Sequence, residues 1–369
     1  MDRRGIKYFI GCGVPIYSCN FRCQYCYLGQ HPNNNSGLMP FSEKPEYISE
    51  FFSVERLGGY AYFNFCASGE TMMHDQLISL VSLLTTQGHY CDIITNGTIS
   101  KRFDELIDVL DEEQRKHIMI KFSYHWLELK KRNLLELFIN NVYKIRDAGI
   151  SYTLEITPHD ELIPYIEEIK TFSLENFGAL PHITVARNEA TKDIELLTKK
   201  SREEYKSIWS VFDSTMFDFK FSIFNKKRCE FCYAGLWSLQ LNLGTGDYFQ
   251  CYGGDYLGNI KNKKLCLRAI GQCREPHCFN GHAYLTYGVI PEIESPTYNE
   301  MRDRITKEGA HWIQTDARAF FSTKLSDEHE LLSKEEKKKI LKASKMKSLF
   351  SSFKITSQKV KRKIKNTVK

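Results

Sequence analysis

The chain has 369 residues and carries 51 Lys+Arg against 45 Asp+Glu, a net charge of +6, with 42% hydrophobic residues. That composition excludes a disordered chain and allows one large core or two domains. The charge is uneven: residues 334–369 hold 14 Lys/Arg and two acids, so the body before them is net acidic. The overall sign therefore says nothing about a nucleic-acid groove in the body.

In chain order, Arg3 and Arg4 precede a short apolar stretch that superficially reads as a secretory signal. Gly and Pro break it, and it runs straight into cysteines, so no cleaved signal is expected. The pattern then alternates β-rich runs (Lys7–Gly11, Tyr60–Cys66, Asp92–Thr95, His117–Ser123, Tyr152–Thr157, His182–Ala186) with helical ones. The helical segments fall near Lys44–Phe52, His74–Thr85, Arg102–Leu110, Asn133–Asp147, Glu161–Thr171 and Arg202–Phe212. Six βα repeats predict an α/β fold with a parallel sheet or curved partial barrel, whose chemistry collects at the C-terminal strand ends. From about Phe217 the helical rhythm is expected to stop. Six of the twelve cysteines lie between Cys229 and Cys278, which predicts a small domain built around a metal centre. The longest apolar-rich run, Leu77–Leu84, is far short of the ~20 residues a bilayer span needs, so a cytoplasmic protein is expected. Twelve cysteines in such a chain point to metal or redox chemistry before a disulfide framework.

Just after the first predicted strand stands Cys19-Asn-Phe-Arg-Cys23-Gln-Tyr-Cys26. Three thiolates so close leave a zinc site one ligand short, yet can hold three irons of a 4Fe-4S cluster and leave the fourth open. A zinc knuckle or buried thiols are the plainer alternatives. After the second strand comes Ala67-Ser68-Gly69-Glu70, where a glycine permits close backbone approach and a carboxylate can meet an ammonium; an ordinary helix-capping turn is the alternative. Thr95-Asn96-Gly97 follows the third strand, a sequence that also suits a plain left-handed turn. Ser123 ends the fourth strand. Glu155, Thr157, Ala186 and Arg187 are weaker candidates at the ends of the fifth and sixth, and Cys66, His125, Trp126, His159 and Asp160 stand at the same rim.

The cysteine spacing with Tyr25 before the third cysteine, in the loop after the first of six strands, resembles the radical S-adenosylmethionine (radical SAM) superfamily. The resemblance covers roughly residues 5–215. It implies a (β/α)6 partial TIM barrel and a 4Fe-4S cluster on Cys19, Cys23 and Cys26 whose open iron binds S-adenosylmethionine. It also implies one-electron cleavage to a 5'-deoxyadenosyl radical, and cofactor contacts from Tyr25, Ser68, Gly69, Glu70, Asn96 and Ser123. Cys66, His125 and His159 are weak catalytic candidates.

The later cysteines read Cys229-x2-Cys232, then x13-Gly246-x4-Cys251, then Cys266, Cys273 and Cys278. This looks like the opening of the SPASM/twitch extension of radical SAM enzymes, although the later half departs from that pattern. Two fully ligated auxiliary clusters need roughly eight cysteines, so one is expected, on four of Cys229, Cys232, Cys251, Cys273 and Cys278; a structural zinc is the alternative. Cys266, between two leucines, reads as a small buried hydrophobe, as do Cys12 and Cys91.

The expected organisation is a barrel domain over 1–215, a SPASM/twitch-like domain over 216–290, an extension over 291–333 and a basic tail over 334–369. In that tail Met346, Leu349, Phe350, Phe353, Val360, Ile364 and Val368 form an apolar stripe among lysines. The stripe suits docking on an anionic membrane at its cytoplasmic face more than nucleic acid.

Relatives of this kind act on peptides, proteins, sugars and aminoglycosides. With 18 residues before Cys19, a dedicated leader-binding domain is not expected there, which favours a saccharide or other small-molecule substrate over a peptide- or protein-modifying maturase. A one-electron reductase of flavodoxin or ferredoxin type is the implied partner. A non-catalytic zinc-binding adaptor with a docking tail is the reading from another class.

Overall fold

A computed structural model of the protein describes residues 5–30, 37–190 and 194–344. Strands β1 (Tyr8–Val14), β2 (Ala61–Ala67), β3 (Tyr90–Thr95), β4 (Ile118–Ser123), β5 (Ser151–Ile156) and β6 (His182–Ile183) lie side by side in that order, all parallel. Their main crossover helices are α1 (Pro45–Phe51), α2 (Leu77–Thr86), α3 (Ser100–Val109), α4 (Leu135–Asp147) and α5 (Ile166–Phe177), with α6 (Arg202–Trp209) after β6. This is the partial-barrel order expected from the βα rhythm.

The period of two within each strand sorts residues between two environments. On β4, Ile118, Ile120 and Phe122 join the core under the helices, whereas Lys121 and Ser123 face the concave side and line a cavity. The same alternation sends Phe63 and Phe65 of β2 and Ile93 of β3 outward, and Asn64, Cys66 and Asp92 inward. The inner face is thus polar toward the C-terminal strand ends. Toward the other end it is aromatic, with Phe9, Tyr62, Tyr90 and Met119 in a second core.

That second core is completed from far along the chain. Tyr284, Tyr287, α8 (Tyr298–Arg302) and α9 (Thr315–Phe321) pack against those four residues, and Tyr90 stacks on Phe320 at 3.8 Å between ring centroids. The segment expected as an extension over 291–333, with the residues just before it, therefore forms the floor of the barrel. Arg302 of α8 is fully buried there and pairs with Glu155 of β5.

The region expected to lose its helices at Phe217 forms α7 (Thr215–Ile223) instead. Ser214 caps it by accepting from the Phe217 amide at 3.3 Å, and Met216, Phe217 and Phe221 bury one side. Next come β7 (Ser238–Asn242), β8 (Asp247–Phe249) and β9 (Tyr256–Asn259). β7 pairs parallel with β1, and the β7-β8-β9 meander extends the barrel sheet to nine strands. Leu239, Leu241 and Tyr248 share the first core, so this region has an apolar anchor as well as its cysteines.

Three other expectations shift. The sixth strand stops at Ile183, because the Ala186 amide donates to the Tyr205 hydroxyl at 3.1 Å and leaves the ladder. α5 starts at Ile166 after a 3₁₀ turn, Asp160–Tyr165, that contains Pro164. The first turns of the basic tail are helical and docked: Lys337 lies over the rings of Phe231 and Tyr233. The stripe from Met346 onward lies outside the described residues. Among the described residues no helix is long and apolar enough to cross a membrane.

One buried histidine ties α1 to the sheet. His89 Nδ1 accepts from the Ala61 amide at 3.0 Å, so the Nε2–H donates to the Phe52 carbonyl at 2.9 Å. Burial pushes its pKa from 6.5 to about 4, partly opposed by the Phe52 bond. The unfolded chain therefore binds a proton between about pH 6.5 and 4 that the folded one refuses, and stability falls with pH through that window. Melting curves at pH 7 and 5 should show this loss, and His89→Gln should make it shallower at the cost of a lower melting temperature at pH 7.

Candidate active site

The six parallel strands point their C-terminal ends into one cavity of about 1000 Å³. Cys19, Cys23, Cys26, Tyr25, Ser68, Gly69, Glu70, Asn96, Ser123, Cys66 and His125 all line it, so residues spread over more than a hundred positions meet at one rim. His159 joins them through Tyr25, whose ring stacks on its imidazole at 4.0 Å and whose hydroxyl bonds His125 Nδ1 at 2.6 Å. Burial lowers the pKa of both histidines, His125 to about 4, so both are neutral at physiological pH.

The turns after β2 and β3 hold the cysteine loop. The Glu70 amide donates to the Ser18 carbonyl at 3.0 Å, and a Cβ on Gly69 would lie 2.0 Å from that same oxygen, so only glycine allows this approach. Gly97 has φ +75° and no room for a side chain between Phe122 and Phe138. Asn96 Nδ2 donates to Asn20 Oδ1 at 2.6 Å, and Asn20 Nδ2 donates to Thr98 Oγ1 at 2.9 Å, clamping the residue beside Cys19.

Glu70 is buried, and its carboxylate already accepts from Met72 N (3.0 Å), Thr95 Oγ1 (2.6 Å) and Asn96 N (2.8 Å). Its carboxylate thus joins the two turns, and the ammonium contact expected of it meets a group with three protein donors in place. Ser68 is exposed to the cavity.

Three thiols on one cavity rim match the donor count of a cluster that keeps one iron open. Burial raises the pKa of Cys19 and pushes Cys23 up to about 12, and each is also raised by the charge of Cys26. Thiols so placed ionise only against a strong cationic centre. Cys12 and Cys91 are buried under the helices as expected.

A second, smaller cavity is lined by Cys232, Cys251, Cys273 and Cys278, with Arg228, Glu275 and His277. Burial raises the Cys278 thiol, followed by the charges of Cys232, Cys251 and Cys273. Cys229 is exposed and outside that lining, and Cys266 is half-buried with its amide on the Tyr248 hydroxyl at 2.9 Å. Of the five candidate cysteines, four are therefore brought together. Among the described residues no three His, Cys, Asp or Glu side chains converge tightly enough to hold a single metal ion. A multi-atom cluster spaces its thiolates more widely than one ion does. Cys251 and Phe279 line both cavities.

Other residues of the barrel interior were not among the sequence candidates. Asp92 on β3 accepts from Asn64 Nδ2 (2.5 Å), Tyr62 and Tyr298 (3.3 Å), and pairs with Lys121 at 3.1 Å. Lys220 from α7, His282 and Tyr298 also reach the cavity. A charged residue at an inward strand position, such as Asp92 or Lys121, was a readable signal; Lys220 and Tyr298 carried none. Asp160 serves its loop, accepting from Thr198 Oγ1 at 2.6 Å and the Lys199 amide at 2.8 Å, and Trp126 is buried.

Residues 14–172 match the Radical SAM superfamily model. A Methanocaldococcus jannaschii protein, named for a proposed role as a glycyl-radical enzyme activating enzyme, is 26% identical over 111 residues. Those residues are 28% of this chain and 41% of that protein, so the match spans about two fifths of the relative's length. Among solved structures, Streptococcus suis SuiB bound to S-adenosylmethionine is 15% identical with a TM-score of 0.48, over 71% of this chain and 65% of that one. Native anSMEcpe with bound AdoMet is 14% identical with a TM-score of 0.44, over 69% and 78%.

Proposed function

We propose, from the premise that residues 14–172 belong to the Radical SAM superfamily and that the chain is an enzyme of a 4Fe-4S cluster and S-adenosylmethionine, that it abstracts hydrogen from a small polar substrate held inside the barrel. When bound, those cofactors supply a 5'-deoxyadenosyl radical. Cys19, Cys23 and Cys26 would hold the cluster. The Ser68-Gly69-Glu70 and Asn96-Gly97 turns would shape the S-adenosylmethionine cradle, Ser123 would bond its ribose, and Tyr25 with His125 and His159 would wall the site. The observation that carries this reading is the meeting of the three thiols with the β2, β3 and β4 termini in one cavity. A saccharide or similar small molecule would suit a cavity of that volume, whose lining includes Tyr298 and Glu155.

A second cluster on Cys232, Cys251, Cys273 and Cys278 would exchange electrons with the substrate, and the place of Cys251 in both linings supports that route. After anaerobic reconstitution, about eight irons per chain are expected. Cys278→Ala should lower this to about four, whereas Cys229→Ala should leave it near eight. About four irons with one zinc in the wild type would overturn the second cluster. The enzyme reading as a whole is tested by 5'-deoxyadenosine formation from S-adenosylmethionine under a one-electron reductant.

A further inference from the structure

The concave wall carries more positive charge than its carboxylates offset. Lys121 pairs with Asp92 at 3.1 Å, Arg187 pairs with Glu189 and lies 4.0 Å from the centroid of the Tyr27 ring, and Arg302 pairs with Glu155. Lys220 differs from all three. Its ammonium donates to the Thr184 hydroxyl, the charges acting on it are the cations Arg187 and Lys121, and among the described residues no acidic side chain pairs with it. Lys220, Lys121, Arg187 and His282 all line the same cavity, and the Lys220 ammonium is tied to Thr184 just past the end of β6.

Lys220 is half-buried at the cavity wall, and a cation partly shielded from water and facing only other cations is costly unless an anion arrives to meet it. Burial, then Arg187 and Lys121, hold Lys220 well below the usual lysine range, as a cationic site without its counter-ion requires. The neutral structural alternative is a lysine stem filling space, but its amine is aimed at the cavity with one hydroxyl partner, where a methionine would pack at less cost. The residues that would shape the S-adenosylmethionine cradle come mainly from the turns after β2 and β3, with Ser123 of β4 beside them, whereas Lys220 comes from α7 and Arg187 from beyond β6.

We infer that Lys220, Arg187 and Lys121 form an oxoanion subsite that binds a carboxylate or phosphate group of the substrate beside the S-adenosylmethionine site. This rests on the radical SAM reading and narrows its substrate to an acidic small molecule. The group enters as a ligand only, and no bond to it is made or broken. Lys220 supplies an amine that an arriving anion would hold protonated, Arg187 a planar donor fork, and Lys121 an ammonium whose carboxylate partner Asp92 holds it in place.

The experiment is thermal melting and calorimetric titration of the reconstituted full chain with inorganic phosphate and with malonate, with S-adenosylmethionine present and absent. Saturable binding of either anion is expected. Phosphate preference assigns a phosphorylated substrate, and malonate preference assigns a carboxylic acid. Lys220→Met should weaken binding at least tenfold, and Lys220→Arg should retain most of it. Because Lys220→Met removes a half-buried amine with no acidic partner among the described residues, it should melt at or above the wild-type temperature without anion, so its loss of binding is not misfolding. The subsite is overturned by no saturable binding to wild type, by equal binding to Lys220→Met, or by anions that compete with S-adenosylmethionine. Wild-type 5'-deoxyadenosine formation is measured separately: cleavage without anion binding overturns the subsite alone, and absence of cleavage overturns the enzyme reading.

Discussion

Alanine at Cys23 is expected to reduce 5'-deoxyadenosine formation to background and to remove about four irons per chain, leaving the fold intact. Cys23 lines the cavity in a loop held by contacts that do not involve its own thiol: the Ser18 carbonyl to Glu70, and Asn20 to Asn96 and Thr98. Its removal costs little packing, because the residue is only half-buried, but leaves two thiols where three are required. Asn96→Ala should act more mildly. It breaks the clamp on Asn20 while all three cysteines stay, so a loss of roughly 10–100-fold is expected, of the size seen when a ligand loses its supporting hydrogen bond. Gly69→Ala should approach the Cys23 result, since a Cβ 2.0 Å from the Ser18 oxygen forces the loop aside. Iron content and 5'-deoxyadenosine yield, measured together, separate the three. Full activity in Cys23→Ala would remove the thiol triad from the mechanism.

Asp92→Ala is expected to be the most destabilising single change in the lumen, by about 3–5 kcal/mol. The carboxylate is fully buried and serves Tyr62, Asn64, Lys121 and Tyr298 at once. Without it, the ammonium of Lys121 loses its partner in a place where burial already pulls its pKa down to about 8, with Asp92 acting in the opposite direction. Tyr298 also loses a bond that holds α8 to the barrel floor, so the C-terminal segment should open more readily. Guanidinium unfolding should show a lower midpoint, and hydrogen exchange should show faster exchange across residues 298–321. Asp92→Asn keeps acceptor capacity for Tyr62 and should lose less. Replacing the pair together, Asp92→Asn with Lys121→Met, should recover much of the difference, because no buried charge is left alone. A double variant no more stable than Asp92→Ala would show that the hydrogen bonds, and not the charge of Lys121, carry the energy.

Much of this site was readable in one dimension because its parts are local. Cys19, Cys23 and Cys26 sit within eight residues, Gly69 and Gly97 mark backbone positions no other residue could fill, and each turn follows a strand whose apolar residues repeat every second position. Strand order in a parallel βα series then places the turns at one end without further information. The separation of the basic tail from an acidic body was equally a property of composition. The grouping of the five later cysteines was not: spacing allowed any four, and the fold gathers Cys232, Cys251, Cys273 and Cys278 around one small cavity while Cys229 stays exposed.

By itself, then, the sequence determined the six βα units, the thiol triad and the turns that face it, since each follows from short-range periodicity and backbone sterics. Tertiary structure alone decided that β7 joins the edge of β1, that residues 281–325 close the floor of the barrel, and that Lys220 and Arg302 enter its interior from α7 and α8. Most of those contacts join residues more than a hundred positions apart. They depend on which apolar faces remain uncovered once the barrel has formed, a quantity that exists only in three dimensions.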